Sequence, residues 1–265
     1  MRARITTALL GIPLLILIIA FGRPWHLFTL LVLLVTVIAL GEYFCMAFAQ
    51  ARGQRYFGVF LGFFVSLAML IPGLAQPDLL LGPVAVAALC SYLFLGGGLE
   101  LRYRHLGWTL LGIIYLGYLF PHIVLVYRAP QGTQWVFFLL LVSTTGDTAS
   151  YFTGMAIGKR KLYPDVSPNK TIEGAAGGAV ASVLVGTLGA VFLLPTLAWL
   201  EAALVAMGVN ILAQTGDLFE SWIKRVFQVK DSGKLLPGHG GMLDRIDSFI
   251  FPAVFMAHYV RLLHS

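Results

Sequence analysis

Four segments rich in polar residues interrupt an otherwise apolar chain, and the last of them, KDSGKLLPGHGGMLDRID at residues 230–247, carries the most chemistry. Asp244 and Asp247 stand three positions apart, so both carboxylates share one face if the last helix begins there. Two such carboxylates repel each other unless a cation joins them, and Mg²⁺ prefers a few carboxylates together with substrate phosphate oxygens and water. The alternative is that Asp244 caps the helix while Asp247 pairs with Arg245 or Lys224.

The glycines of the same segment allow a close approach of the backbone to a ligand. LPGHGG permits a tight turn because glycine tolerates conformations and contacts that a Cβ forbids. This pattern makes Gly240 and Gly241 candidate ligand contacts. His239, between glycines, is open to three interpretations: a general base, a phosphate ligand or a loop residue. No second His or Cys stands nearby in the sequence to complete a tetrahedral zinc site.

A second cluster lies in the segment NILAQTGDLFESWIKR, where polar residues recur at steps of four, three, four and three. That spacing draws one polar stripe along a helix. The stripe consists of Asn210, Gln214, Asp217, Ser221 and Lys224. Such a face is unstable against lipid, so it is expected to line a polar interior. Glu220 and Arg225 lie beside the stripe, where they could equally be anchors at the membrane interface.

The third cluster, VSTTGDTASYFTG, places Ser143, Asp147, Ser150 or Tyr151, and Gly154 on one helix face. An unpaired carboxylate in lipid is costly, so Asp147 is expected to face the bundle interior or a wet cavity as a functional residue. The alternative is a buried hydrogen bond between two helices.

The loop that follows, GKRKLYPDVSPNKTIEG, combines Ser167, Asn169, Lys170 and Thr171 with a helix start near Glu173. Hydroxyls, a cation and the N–H groups of a helix N-terminus together suit a phosphate group. The alternative is a solvated loop in which Ser and Thr only cap the next helix.

The composition identifies the elements that must position these clusters. Of the 265 residues 58% are hydrophobic and 11% are charged, against about 25% charged in soluble domains. We therefore predict an all-α, polytopic integral membrane protein with about nine transmembrane helices, since nine apolar runs are long enough to cross a bilayer. The predicted spans are 5–22, 26–48, 56–75, 78–96, 107–127, 133–155, 174–196, 199–223 and 248–263.

The net charge of +6 reports orientation rather than a nucleic-acid partner. With nine spans and a cytoplasmic N-terminus, fifteen of the eighteen Lys and Arg residues fall on the cytoplasmic side. We predict a scaffold of five helices in residues 1–130 and a catalytic region of four helices in residues 131–265, with cytoplasmic loops 156–173 and 224–247. In the scaffold, Glu42 is expected to be a helix-end residue that reaches the headgroups.

Residues 221–247 resemble the signature of the phosphatidate cytidylyltransferases, the CDP-diacylglycerol synthases. That signature runs S-x-apolar-K-R, four residues, K-D-x-small, two residues, apolar, P or G, x-H-G-G, apolar, x-D-R-apolar-D. Its fixed positions are met by Ser221, Lys224, Arg225, Lys230, Asp231, His239, Gly240, Gly241, Asp244, Arg245 and Asp247. Upstream, Asp147, Thr148 and Tyr151 fit the D-T-x-x-Y helix of the family, and SPNKTIEG fits its S-P-x-K-T-x-E-G loop. Ile172 departs from the pattern, since many members carry an aromatic residue there.

The resemblance implies transfer of a cytidylyl group from CTP to phosphatidic acid, which gives CDP-diacylglycerol and pyrophosphate for phospholipid biosynthesis. It also implies a requirement for Mg²⁺, with a second cation possible, and a homodimer is an expectation from the family. The predicted location is a bacterial inner membrane, with a multi-pass chain, lipid around it and the active site facing the cytoplasm.

The resemblance and the residue chemistry together give each candidate a role. Asp217, Asp244 and Asp247 are the predicted metal ligands, and they join Ser221, Lys224 and Arg225 as predicted catalytic residues. His239 is assigned to positioning or to contact with the leaving group. The predicted substrate-binding residues are Asp147, Tyr151, Ser167, Lys170, Thr171, Lys230, Asp231, His239, Gly240, Gly241 and Arg245.

A cation- or proton-coupled transporter is the alternative function, with Asp147, Asp217 and Lys224 lining the path of the substrate. Against it, the charges cluster at one predicted membrane face, and we find no paired, Gly- or Pro-interrupted helices in matching halves. An assembly or scaffold protein is a third possibility, but it leaves the charge density of the loops unexplained.

Overall fold

The computed structural model describes residues 2–22, 26–71, 77–94, 98–235 and 240–264, with the backbone alone for residues 2–10 and 77–80. Helices dominate this part of the chain, and a π-helical segment, Ile113–Leu119, lies between the fifth and sixth of them. The helices are α1 (Arg2–Phe21), α2 (Leu27–Ala47), α3 (Arg52–Leu70), α4 (Pro77–Phe94), α5 (Leu99–Gly112), α6 (His122–Arg128), α7 (Gly132–Ile157), α8 (Ile172–Leu193), α9 (Trp199–Val226) and α10 (Leu243–Leu263).

The helices have the length and composition of membrane-spanning segments, which supports the prediction of an all-α membrane protein. Within the described ranges, six helical stretches are long and apolar enough to cross a bilayer: Leu27–Ala47, Arg52–Leu70, Leu99–Arg128, Ile172–Leu193, Trp199–Val226 and Leu243–Leu263. Each of the nine predicted spans overlaps a helix. The count of nine crossings and the cytoplasmic N-terminus stay predictions.

The chain groups into two compact units, each with its own internal packing. The first unit contains Met1–Val124 and Asp231–Asp244, and the second contains Leu125–Lys230 and Arg245–Ser265. The predicted functional division, a scaffold in 1–130 and a catalytic region in 131–265, stays a prediction.

The first unit packs around aromatic residues of α2. Tyr43 and Phe44 are fully buried, and the Tyr43 hydroxyl donates a hydrogen bond to the carbonyl oxygen of Trp108 at 2.9 Å. Where α3 meets the π-helical segment, a Cβ on Gly117 would lie 2.8 Å from the carbonyl oxygen of Gly62. Glycine at this position therefore allows direct contact between two backbones.

The second unit contains a tight pair of helices, α7 and α8, joined by a short β-hairpin. A Cβ on Gly174 would lie 2.7 Å from the carbonyl oxygen of Ser150 and 3.1 Å from the Cα of Gly154, so small residues set the helix separation. The hairpin consists of β1 (Lys161–Tyr163) and β2 (Ser167–Thr171), which pair antiparallel. The predicted loop 156–173 thus contains a β-hairpin, which the sequence analysis did not predict.

Thr171 ends the hairpin and begins α8. Its side-chain oxygen accepts a hydrogen bond from the N–H of Gly174 at 3.1 Å, which satisfies one of the unpaired donors of the helix N-terminus. Thr171 therefore caps α8, and its predicted role in binding substrate stays a prediction. Capping also fixes the end of β2, on which Lys170 lies.

Candidate active site

A cavity of about 420 Å³ lies within the second unit, where the C-terminal half of α7, the hairpin, the start of α8 and the middle of α9 meet. It is large enough to hold part of a small-molecule substrate. Its walls combine charged, amide and hydroxyl groups with apolar side chains. The lining residues are Asp147, Ser150, Tyr151, Gly154, Met155, Leu162, Asn169, Lys170, Thr171, Gly174, Ala175, Gln214 and Asp217.

An ion pair forms the most polar part of this cavity. The Nζ of Lys170, on β2, lies 2.7 Å from Oδ2 of Asp217, on α9. Both side chains are partly accessible, at 27% and 32% exposure. The hydroxyl of Ser221, one helical turn after Asp217, donates to the other carboxylate oxygen at 3.5 Å. A cation and a carboxylate thus meet at the cavity wall, within reach of solvent and of a ligand.

Three aspartates of the second unit come together from three helices. They are Asp147 on α7, Asp217 on α9 and Asp247 on α10, and each interacts electrostatically with the other two. Asp247 also interacts electrostatically with Lys224. The helices α9 and α10 approach closely here, since a Cβ on Gly216 would lie 2.5 Å from the carbonyl oxygen of Asp247. Asp147 is hydrogen-bonded to the side chain of Ser248. Tertiary packing therefore brings three carboxyl groups of the second unit close to one another.

These carboxylates match the chemistry of Mg²⁺, a hard cation that binds oxygen ligands. Among the described residues, no group of three or more His, Cys, Asp or Glu side chains is arranged to hold a metal ion. Mg²⁺ is, however, commonly bound by one or two protein carboxylates, with substrate phosphates and water as its remaining ligands. Asp217 and Asp247 fit that smaller requirement.

The polar stripe on α9 serves two purposes along its length. At its buried end, the Asn210 amide donates to the Ser182 hydroxyl at 2.9 Å, and that hydroxyl donates to the carbonyl oxygen of Val142 at 3.0 Å. The Gln214 amide donates to Ala175 O at 3.1 Å and to Asn210 Oδ1 at 2.6 Å. This end joins α7, α8 and α9, and the members of the stripe that line the cavity are Gln214 and Asp217.

Lys224, the last residue of the stripe, pairs with a buried acid of the same helix. Its Nζ lies 2.5 Å from Oε2 of Glu220, whose side chain is 0% exposed. Glu220 is therefore not an interface anchor, and that interpretation is corrected. The other residue considered as an anchor, Arg225, donates from Nε to the carbonyl oxygen of Val166 at 3.2 Å and so holds the hairpin turn against α9.

Asp244 lies in the first unit, where its carboxylate is bound by the segment that precedes it. It accepts hydrogen bonds from Gly241 N–H at 2.7 Å, from Ser232 N–H at 3.1 Å and from the Ser232 hydroxyl at 3.0 Å. The N–H groups of Met242 and Leu243 instead donate to Glu42. Asp244 thus binds Gly241 and Ser232, which precede it in the chain, and does not cap the helix. Its role as a metal ligand stays a prediction.

Glu42, on α2, corrects an expectation of the sequence. It accepts hydrogen bonds from Met242 N–H and Leu243 N–H, both at 2.9 Å, and from the Ser232 hydroxyl at 3.1 Å. It is therefore held by Ser232, Met242 and Leu243 rather than by lipid headgroups. No local pattern in the sequence indicates this contact, since the partners are about 190 to 201 positions apart.

The remaining predicted residues belong to both units. Tyr151 and Thr171 line the cavity, while Ser167 pairs with Tyr163 in the hairpin. Lys230, Asp231 and Arg245 are exposed, Gly240 has a positive φ of 81°, and His239 lies outside the described residues. Three polar residues of the cavity wall are missing from the predicted site residues, although the sequence analysis names each of them in a polar segment: Ser150, Asn169 and Gln214.

Comparison with known proteins gives one consistent family. The cytidylyltransferase family matches residues 2–263. The chain is 39% identical over 155 residues to a phosphatidate cytidylyltransferase of Bacillus subtilis, which covers 58% of each sequence. It is 43% identical over 151 residues to the protein of that name from Brucella suis, covering 57% of this chain and 56% of the relative. It is 48% identical over 122 residues to that of Staphylococcus epidermidis, covering 46% of each. The aligned region thus spans about half the length of these relatives. Because the family match extends over nearly the whole chain, the protein belongs to the cytidylyltransferase family.

Proposed function

We propose that this protein transfers the cytidylyl group of CTP to phosphatidic acid and releases pyrophosphate, forming CDP-diacylglycerol. The observation that carries the proposal is the cavity with the Lys170–Asp217 pair, built from helices of a membrane protein. One substrate is a lipid and the other a water-soluble triphosphate, so their site must be polar and yet open to a bilayer. Relatives named phosphatidate cytidylyltransferase support the same reaction. The family match gives no support to a transporter.

The proposed reaction is an in-line displacement at phosphorus. An oxygen of the phosphatidic acid phosphate forms a bond to the α-phosphorus of CTP, and the bond from that phosphorus to the bridging oxygen of the β-phosphate breaks. The electron pair of that bond leaves with pyrophosphate. A phosphate monoester has a second pKa of about 6, so the attacking oxygen is already largely ionised near neutral pH. The residues therefore need to position two anions rather than to remove a proton.

Lys170 is the residue best placed to bind a phosphate oxygen. Its ammonium group lies at the cavity wall next to Asn169 and Thr171, whose amide and hydroxyl are further hydrogen-bond groups. In the structure, Asp217 neutralises Lys170. A phosphate oxygen that replaces Asp217 at the ammonium group would free the carboxylate of Asp217 for another cation.

Asp217 and Asp247 would hold Mg²⁺ with substrate phosphate oxygens, and a role of Asp244 as a metal ligand is proposed from the family signature alone. The bound ion would supply charge neutralisation between the two anionic substrates. Asp147 would then act by its charge and by its bond to Ser248. We further propose that the site faces the cytoplasm of a bacterial cell, since that orientation places fifteen of eighteen basic residues inside.

The full-length chain in phosphatidic acid vesicles, with Mg²⁺ and CTP labelled at the α-phosphate, tests the function. We expect label in a lipid product that depends on both phosphatidic acid and Mg²⁺. Asp217→Asn is expected to reduce the rate at least about a hundredfold, the scale of losing one charge-stabilising group. Asp165→Asn, at an exposed aspartate of the hairpin turn, is the matched control and is expected to be as active as the parent. Absence of labelled lipid with the parent protein would refute the proposal.

A further inference from the structure

Glu42 joins parts of the first unit that lie 190 to 201 positions apart in the sequence. It lies near the C-terminal end of α2, yet its carboxylate accepts three hydrogen bonds from the 231–243 segment. Oε1 accepts from Met242 N–H at 2.9 Å, and Oε2 accepts from Leu243 N–H at 2.9 Å and from the Ser232 hydroxyl at 3.1 Å. Both carboxylate oxygens are thus used by one segment.

The two amides that Glu42 binds are those at the start of α10. The first N–H groups of a helix have no partner within the helix, and negative charge is favourable beside them. Here a carboxylate from another helix takes the place of a local cap. Charge-assisted hydrogen bonds of this kind are about twice as strong as neutral ones.

Ser232 connects Glu42 to Asp244. Its hydroxyl lies 3.1 Å from Glu42 Oε2 and 3.0 Å from Asp244 Oδ2, while its N–H donates to Asp244. A hydroxyl has one hydrogen, so the two carboxylates compete for it. Whenever Ser232 donates to Glu42, an oxygen of Asp244 loses one donor and keeps a lone pair for another ligand.

The position of the Glu42 carboxylate explains why two neighbouring residues, Gly233 and Gly241, lack a side chain. A Cβ on Gly233 would lie 2.7 Å from Cδ of Glu42, and a Cβ on Gly241 would lie 2.5 Å from its Oε2. Contacts this short do not occur for real side chains, so both positions need glycine for the carboxylate to enter. Gly241 thus lies against Glu42 in the structure, and its predicted contact with a ligand stays a prediction.

We infer that Glu42 is a positioning residue. It fixes Ser232 and the start of α10, and thereby holds Asp244 in the position from which it takes part in the proposed reaction. It acts through Asp244 and does not itself touch substrate. The importance of Asp244 for turnover rests on the proposed function, but the contact itself does not. The two are therefore tested by separate measurements.

Hydrogen–deuterium exchange on the full-length protein in lipid tests the contact. Glu42→Gln keeps the side-chain shape but replaces one acceptor oxygen with an NH₂ group that faces an N–H donor. We expect amide exchange at residues 241–244 to accelerate at least about tenfold, with exchange in α7 to α9 unchanged. Glu100→Gln, at an exposed acid of α5, is the matched control and should change neither region. Unchanged exchange at 241–244 in Glu42→Gln would overturn the inference.

Steady-state kinetics test the consequence for the reaction. In Glu42→Gln we expect kcat to fall at least about tenfold, or about 1.4 kcal/mol, while KM for CTP changes less than about threefold. Gly233→Ala displaces the Glu42 carboxylate without removing it, so it should also accelerate exchange at residues 241–244 and lower kcat. It replaces Glu42→Gln in both experiments if that variant does not fold. Faster exchange with an unchanged kcat would overturn the positioning role. An inactive parent protein would refute the proposed function and leave the exchange result standing.

Discussion

The ion pair between Lys224 and Glu220 gives the sharpest prediction, because it separates the contribution of a residue to folding from its contribution to the reaction. Glu220 is fully buried, and its Oε2 lies 2.5 Å from Lys224 Nζ. At an effective dielectric constant of about 20, two unit charges at this distance attract each other by about 7 kcal/mol. Desolvation of the two ions costs several kcal/mol each, so the intact pair contributes little net stability.

Removing only the cation has a large effect, because the desolvation cost of the buried carboxylate remains. Lys224→Met is therefore expected to destabilise the protein by about 3–5 kcal/mol. At about 2–4 °C for each kcal/mol, this corresponds to a fall in Tm of about 10 °C. The double variant Lys224→Met, Glu220→Gln removes both charges and is expected to recover most of that loss.

Thermal unfolding in detergent, followed by tryptophan fluorescence, measures these shifts, and the CTP-dependent lipid assay measures turnover. The double variant should be stable but inactive, since Lys224 is a predicted catalytic residue. Lys234→Met, at an exposed lysine of the following segment, is the control and should keep the Tm of the parent protein. The reasoning is refuted if Lys224→Met is as stable as the parent, or if the double variant is no more stable than Lys224→Met.

Three further predictions concern packing, the hairpin and the first unit. Gly146→Ala places a Cβ 2.6 Å from Ser182 Oγ and should lower the free energy of unfolding by about 1–3 kcal/mol, as measured by thermal unfolding. Gly107→Ala, with open space around the new Cβ, is the control and should leave stability unchanged. Equal Tm values for the two variants would contradict the packing argument. Arg225→Lys removes the Nε–H that binds Val166 O, so limited proteolysis should cut the hairpin faster; unchanged cleavage would exclude this contact as the hairpin's support. Asp244→Asn should abolish labelled-lipid formation without lowering Tm, and near-normal turnover would remove Asp244 from the proposed metal site.

The fold and the polar faces were largely readable from the sequence, because both depend on local periodicity. Apolar runs predict helices that bury their backbone polar groups, and each predicted span overlaps an observed helix. The stripe on α9 faces protein as its spacing indicates, since Asn210, Gln214 and Asp217 all find partners in neighbouring elements. The hairpin at 161–171 was not predicted, because strands this short carry almost no periodic signal.

The sequence by itself determined that this is a helical membrane protein of the cytidylyltransferase family, with its polar chemistry in the second half of the chain and one stripe on α9. Only the tertiary structure decided which members of that stripe join helices and which reach the cavity, that Glu220 is buried against Lys224, and that Glu42 holds the start of α10. The physical reason is the distance along the chain over which each feature is determined. Helix periodicity is fixed within a few turns, whereas the partner of a carboxylate is set by packing between residues as far as 201 positions apart.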